Sequence, residues 1–159
     1  MIVFHGSTEI IKQPDVFHSL RTLDFGKGFY VTSVKEQAIR WAKRKSDILG
    51  TLKAYINEYE MKDDLSGFNV KNFNDDLENW IDFVCNCRNG KNEYEQFDII
   101  IGKVADDKVY RVVDMYNKGI WDKKRALEEI KAYPDYNQIA FVKQNAIKAL
   151  LSFRAAYEV

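Results

Sequence analysis

The sequence predicts an α+β fold, and three observations carry that expectation. Short apolar runs of strand length are interspersed with longer stretches whose apolar residues recur at helical spacing. The 159 residues suit one hydrophobic core, and neither an internal repeat nor a low-complexity linker divides them. Hydrophobic residues at 46% and charged residues at 30% allow a buried core and leave no signature of disorder. A single domain over residues 1–159 is therefore expected, with a sheet flanked by helices.

The elements follow in order. Residues 1–4 read as a strand that runs out into His5-Gly6-Ser7. Pro14 breaks any long element between residues 9 and 23, and Asp24-Phe25-Gly26-Lys27-Gly28 is rich in turn formers. Residues 29–31 form a second strand, after which a helix runs to about residue 49. Thr32 or Ser33 can cap that helix, Ser33 having Glu36 at the capping-box spacing, and Gly50 ends it. Ala38, Trp41, Ala42 and Lys45 fall on one side of it. Residues 51–61 partly alternate, which predicts a strand. Residues 75–84 predict a helix with Leu77, Trp80, Ile81 and Val84 as its apolar stripe. Residues 97–104 are the clearest buried strand, followed by helices over 106–117 and 123–132, parted near Gly119. Residues 138–142 read as a strand, 144–151 as a short helix or turn, and 153–159 as a closing strand.

Basic and acidic residues, 24 of each, cancel to a formal net charge of +0, so no global field holds nucleic acid or an anionic membrane and no stable nucleic-acid complex is expected. The charge is uneven along the chain. Residues 58–98 carry four basic and eleven acidic groups, between ends that are mildly basic. That acidic middle serves either as a solvated face or as a surface for a basic partner. Cys85 and Cys87 lie two apart in a helical pattern, where their side chains diverge; with only His5 and His18 elsewhere they do not make a metal site. No metal is expected, and the cytoplasm is the natural compartment. The opening MIVFHGSTE lacks the features of a signal peptide, and no run approaches the roughly 20 apolar residues that span a bilayer, so no membrane association is expected.

Four features can carry chemistry. His5-Gly6-Ser7 ends a strand with a titratable ring, a glycine that lets a ligand approach the backbone, and a hydroxyl; a histidine beside a turn is also an ordinary surface residue. The loop Asp24-Phe25-Gly26-Lys27-Gly28 feeds Phe29-Tyr30-Val31-Thr32, exposing backbone N–H groups beside a flat aromatic face, and it matches neither the dinucleotide nor the phosphate-loop glycine spacing. A glycine-rich hairpin with core aromatics fits it equally well. Trp41, eleven residues beyond Tyr30, either anchors its helix in the core or faces Tyr30 across a slot for a planar ring. Gln138, at the head of its strand, can hydrogen-bond a sugar hydroxyl but cannot act as a carboxylate base; a solvent-facing strand end is the plainer alternative.

Taken in order, His5-Gly6-Ser7, Phe25-Gly26-Lys27-Gly28-Phe29-Tyr30 and Tyr136-Asn137-Gln138 resemble the three signature segments of the diphtheria-toxin-like, poly(ADP-ribose)-polymerase-like branch of ADP-ribosyltransferases. The whole chain is similar to DUF3990, a bacterial family placed in that superfamily and linked with toxin–antitoxin pairs. The stretches that carry this are Trp80-Ile81-Asp82-Phe83-Val84 with Arg88, Asp98-Ile99-Ile100-Ile101-Gly102 with Val104-Ala105-Asp106-Asp107, and Gln138 before Phe141.

The resemblance implies a split mixed β-sheet holding NAD as cosubstrate, and transfer of one ADP-ribose to a macromolecular acceptor. It also implies an antitoxin protein as partner. His5, Tyr30 and Gln138 become the catalytic set. His5 would meet the nicotinamide ribose or adjoining phosphate, and the Gly6 backbone would pair with the nicotinamide amide. Tyr30 and Trp41 would flank the ring, with Ser7, Gly28 and Thr32 completing the wall. Ala38 falls where polymerases supply a hydroxyl. Gln138 stands where the best-known members carry a catalytic glutamate, which keeps the hydrogen bond, loses the charge and disfavours polymer extension.

Overall fold

The computed structural model describes residues 1–17, 23–105, 107–134 and 136–159. His18 and Asp106, named above, lie outside the described residues. Among the described residues seven strands and five helices follow one another as β1 (Ile2–Ser7), β2 (Phe29–Val31), α1 (Lys35–Leu49), β3 (Tyr55–Met61), β4 (Val70–Asn72), α2 (Leu77–Arg88), β5 (Ile99–Lys103), α3 (Asp107–Asn117), α4 (Lys123–Lys131), β6 (Asn137–Phe141), α5 (Gln144–Leu150) and β7 (Leu151–Glu158). A 3₁₀ turn, Glu93–Gln96, precedes β5. The chain is thus α+β, as expected.

The strands form two sheets. β1, β3 and β7 make an antiparallel one, and β2-β6-β5-β4 a mixed one in which the edge pair β4–β5 is parallel. Among the described residues one bridge joins the two: Phe4 and Thr32 exchange backbone hydrogen bonds at 2.8 and 2.9 Å. Beyond that bridge the sheets part. Between them lies one apolar cluster, with Val3, Tyr59 and Met61 from the first sheet and Phe29, Val31, Ile99, Ile139 and Phe141 from the second, and α5 adds Ala146, Ile147 and Leu150. The other face of the mixed sheet, with Tyr30, Ile100 and Ala140, is covered by α2, α3 and α4 through Trp80, Ile81, Val84, Val113 and Ile130. The alternation of side chains along each strand divides the two cores.

The apolar stripe read from residues 75–84 is that of α2, where Trp80, Ile81 and Val84 are fully buried and Asp76 caps the helix by accepting from the Asn79 N–H at 3.2 Å. Gly50 ends α1 in the left-handed region at φ 67°, and Thr51 N–H closes the turn onto the Ser46 carbonyl at 3.0 Å.

Some expectations are corrected. The residue before α1 is Val34, which makes no side-chain cap, and the capping box from Ser33 to Glu36 does not form. Ser33 is engaged elsewhere: its hydroxyl accepts from Asn137 Nδ2 at 2.7 Å and its N–H donates to Asn137 Oδ1 at 3.2 Å. Ala38, Trp41, Ala42 and Lys45 do share the side of α1 that meets Gly6, but Lys45 is exposed, and the buried residues of α1 are Gln37, Ala38, Ala42 and Ser46. The strand expected from residue 51 begins at Tyr55, because Thr51 is used in the helix-ending turn and Leu52 stands fully exposed. β4 was not foreseen.

Candidate functional site

Alternation of backbone groups along β1 sets the chemistry of its end. Phe4 turns its N–H and C=O toward β2, so those of Gly6, two residues on, face the same way, into the gap where the sheets part. The Gly6 carbonyl accepts from Lys45 Nζ at 2.8 Å. Gly6 is also the point of closest contact with α1: an added Cβ would overlap the Ala38 carbonyl and sit 2.6 Å from Ala42 N and 3.0 Å from Trp41 Cβ. Only glycine lets helix and strand backbones approach this closely.

His5 is buried and stacks on Phe29 with ring centroids 4.4 Å apart. Its Nδ1 lies 2.6 Å from the Tyr30 carbonyl, which can only accept, so Nδ1 carries the proton and Nε2 presents a lone pair, 3.4 Å from Lys45 Nζ. Ser7 is buried and accepts from Glu9 N–H at 3.3 Å, and Thr32, fully buried, accepts from Val34 N–H at 3.1 Å. The pairing Val31↔Ile139 places Thr32 across from Gln138.

Tyr30 sits differently from the expectation of an open stacking face. It is 6% exposed; its hydroxyl donates to the Gly26 carbonyl at 2.6 Å and accepts from Phe25 N–H at 3.0 Å, which ties the Asp24–Gly28 loop to the strand it feeds. Burial pushes the phenol well above its ordinary pKa, so it is a neutral donor at physiological pH. Among the described residues no ring contact joins Tyr30 to the half-buried Trp41. Gly28 is held against β6, where an added Cβ would lie 2.6 Å from the Phe141 carbonyl.

Gln138 is not a solvent-facing strand end; it is 3% exposed and belongs to a polar hub. Its Nε2 donates to Asp24 Oδ2 at 3.0 Å and to the Lys103 carbonyl at 3.2 Å. Asp24 also accepts from Ala105 N–H at 2.9 Å, and its other oxygen meets Arg88 Nη2 at 2.6 Å. The Arg88 guanidinium lies 4.0 Å over the Tyr110 ring and donates to the Ala105 carbonyl at 3.3 Å. Trp80 Nε1 donates to the same Lys103 carbonyl at 3.0 Å. Asp24, Arg88 and Ala105 carry no expected role in the site, and the only local signal is an acid, Asp24, set between Leu23 and Phe25.

The acidic stretch spends part of its charge internally. Asp82 accepts from Lys123 Nζ and from the Tyr116 hydroxyl, each at 2.6 Å. Burial works to raise the Asp82 carboxyl, but those two donors outweigh it and hold it below the usual range. Glu58 and Glu60 meet Arg154 at 3.5 and 3.4 Å.

Two clefts open on the helical side. One of about 270 Å³ is lined by Asn74, Lys103, Lys131 and Tyr133 among others, and one of about 260 Å³ by Lys108, Arg111, Trp121 and Tyr133. Neither wall includes an expected site residue. Among the described residues no cluster of His, Cys, Asp or Glu is placed to hold a metal, and no helix is long and apolar enough to cross a membrane.

No curated protein and no solved structure matches the chain. The family model described as protein of unknown function (DUF3990) matches residues 1–153, and the chain belongs to that family.

Proposed function

We propose that the chain is a mono-ADP-ribosyltransferase, breaking the nicotinamide glycosidic bond of NAD and passing ADP-ribose to a macromolecular nucleophile in the cytoplasm. One observation carries the reading: the end of β1 with His5, Gly6 and Ser7, the end of β2 with Tyr30 and Thr32, and Gln138 on β6 meet where the two sheets part beyond the Phe4–Thr32 bridge. On this reading Lys45 leaves the Gly6 carbonyl to the nicotinamide amide. Trp41 covers the ring from α1, and Tyr30 and Gly28 form the wall behind it. His5 Nε2, Ser7 and Thr32 face the ribose side, and Gln138 Oε1 accepts from the 2′-hydroxyl.

The C–N bond breaks with its electron pair leaving on nicotinamide, and the acceptor's nucleophile bonds to the ribose carbon and loses its proton. Positive charge develops on the sugar in between. Dipoles aimed at such a charge are the largest usual contribution to catalysis, and here they come from Gln138 without a carboxylate at that position. Single transfer rather than chain extension follows.

The test is nicotinamide release from labelled NAD by the purified chain, with and without cell lysate. Gln138→Ala removes one hydrogen bond worth roughly 1 kcal/mol or more, so turnover falls about tenfold, more than affinity does. A specific observation favours a second reading, a non-catalytic NAD or ADP-ribose binding module: the carboxylate touching Gln138, Asp24, is already paired with Arg88. Intact NAD recovered from the complex after hours, with no release in lysate, selects that reading. As a toxin, the chain expressed alone would slow growth, and the antitoxin encoded beside it would restore growth through a surface complementary to the acidic segment.

A further inference from the structure

We propose that Asp24, clamped by Arg88, is a positioning residue that fixes the polarity of the Gln138 amide, so that this position presents a single hydrogen-bond acceptor to a sugar hydroxyl. The identity of the sugar rests on the NAD reading above; the polarity does not.

An amide side chain can be turned either way, and its surroundings decide which way. Both hydrogens of Gln138 Nε2 have acceptors, the Asp24 carboxylate at 3.0 Å and the Lys103 carbonyl at 3.2 Å. Turned over, the amide would set its oxygen against those two oxygens, in a position 3% exposed where water cannot screen the repulsion. One orientation is therefore imposed, with Nε2 inward and Oε1 as the atom left to meet a ligand.

Asp24 can impose it because its own carboxylate cannot turn. Arg88 Nη2 holds one oxygen at 2.6 Å, and the Ala105 N–H holds the other at 2.9 Å. Arg88 is in turn seated on the Tyr110 ring at 4.0 Å and tied to the Ala105 carbonyl. The loop before β2, α2, α3, the segment after β5 and β6 all meet here. The negative charge stays inside the hub, and the neutral amide in front of it accepts one hydrogen bond and offers none.

The experiment compares wild type with Asp24→Asn, an isosteric change, and with Tyr110→Leu, which loosens Arg88 from an exposed position and serves if Asp24→Asn does not fold. The first readout is hydrogen exchange of the Gln138 side-chain amide by NMR. Strong protection is expected in wild type, at least tenfold faster exchange in Asp24→Asn, and a smaller change in the same direction in Tyr110→Leu. The second is kcat/KM for nicotinamide release from NAD and from NAD lacking the 2′-hydroxyl on the nicotinamide ribose. Wild type should prefer NAD by about three- to tenfold, the worth of one hydrogen bond, and the preference should shrink toward unity in the variants. A structural role alone would lower both rates and leave their ratio in place.

Equal protection in a folded variant, or an unchanged ratio, overturns the proposal. If wild type cleaves neither dinucleotide, the NAD reading fails, and the exchange measurement still decides the role of Asp24.

Discussion

Under the proposed transferase reading, Gln138→Glu places a carboxylate where the resemblance to ADP-ribosyltransferases expects one, and nicotinamide release should then hold steady or rise unless a neighbouring acid repels it. The structure supplies that neighbour. The substitution replaces an NH₂ group 3.0 Å from Asp24 Oδ2 and 3.2 Å from the Lys103 carbonyl with an oxygen, in a buried position. Two charges about 3 Å apart repel by roughly 5 kcal/mol at an effective dielectric of about 20, less whatever Arg88 offsets. The alternative is for the new glutamic acid to keep its proton when folded. Starting from an ordinary pKa of about 4.3, that costs about 3.7 kcal/mol at pH 7.

Since the protein takes the cheaper course, destabilisation should reach about 4 kcal/mol at most at pH 7. The sign follows from linkage: the folded variant binds a proton that the unfolded chain releases, so its stability falls as pH rises above about 4.3, by about 1.4 kcal/mol per unit. Denaturant melts of wild type and variant at pH 4.5, 5.5 and 7 measure the difference. In Asp24→Asn/Gln138→Glu an amide faces the new carboxylate, and more than half of the loss at pH 7 should return. Nicotinamide release should fall in the single variant. Unchanged stability at pH 7, with no slope against pH, would mean that Asp24 and Gln138 are not in contact in the folded protein.

Gly6→Ala forces a Cβ into the Ala38 carbonyl and to 2.6 Å from Ala42 N, both backbone atoms that cannot swing aside, and should cost about 3 kcal/mol in a thermal or denaturant melt. Tyr30→Phe strands the Phe25 N–H and leaves the Gly26 carbonyl with the longer bond from the Leu23 N–H at 3.3 Å; a loss of roughly 2 kcal/mol is expected, and a neutral result would deny that the phenol ties down the loop. Trp41→Ala, at a half-buried position, should instead weaken NAD binding by about tenfold with a small effect on stability, measured by calorimetry. Burial pushes the Cys85 and Cys87 thiols up to about 11 and about 12, so both should resist alkylation at pH 8 until the chain is unfolded.

What was legible in the sequence was what is decided locally. The bounds of α1 to α4 and the glycine that ends α1 lie within a few residues of where spacing puts them, because burial of one face fixes a 3.6-residue period. β4 left no such trace: Val70–Asn72 is three residues long, half-buried or exposed, and becomes a strand by pairing in parallel with β5, some thirty residues away. Ser33 failed as a cap for the same kind of reason, since Asn137, 104 residues on, claims its hydroxyl.

The site divides along the same line. The order of His5, Tyr30 and Gln138 could be read, and the strands do bring those segments together. The state of Gln138 could not be read, because it depends on Asp24, 114 residues earlier, and on Arg88, itself 64 residues from Asp24. Desolvation makes such a buried pair a poor source of stability: an apolar pair of similar volume is often as stable or more so. Removing one partner is costly, because the other is left charged and buried. A hub of this kind contributes geometry more than free energy, holding a neutral amide in one orientation. The role proposed for Gln138 therefore has to be measured together with Asp24 and Arg88, since a substitution at either of those alters how its amide is held.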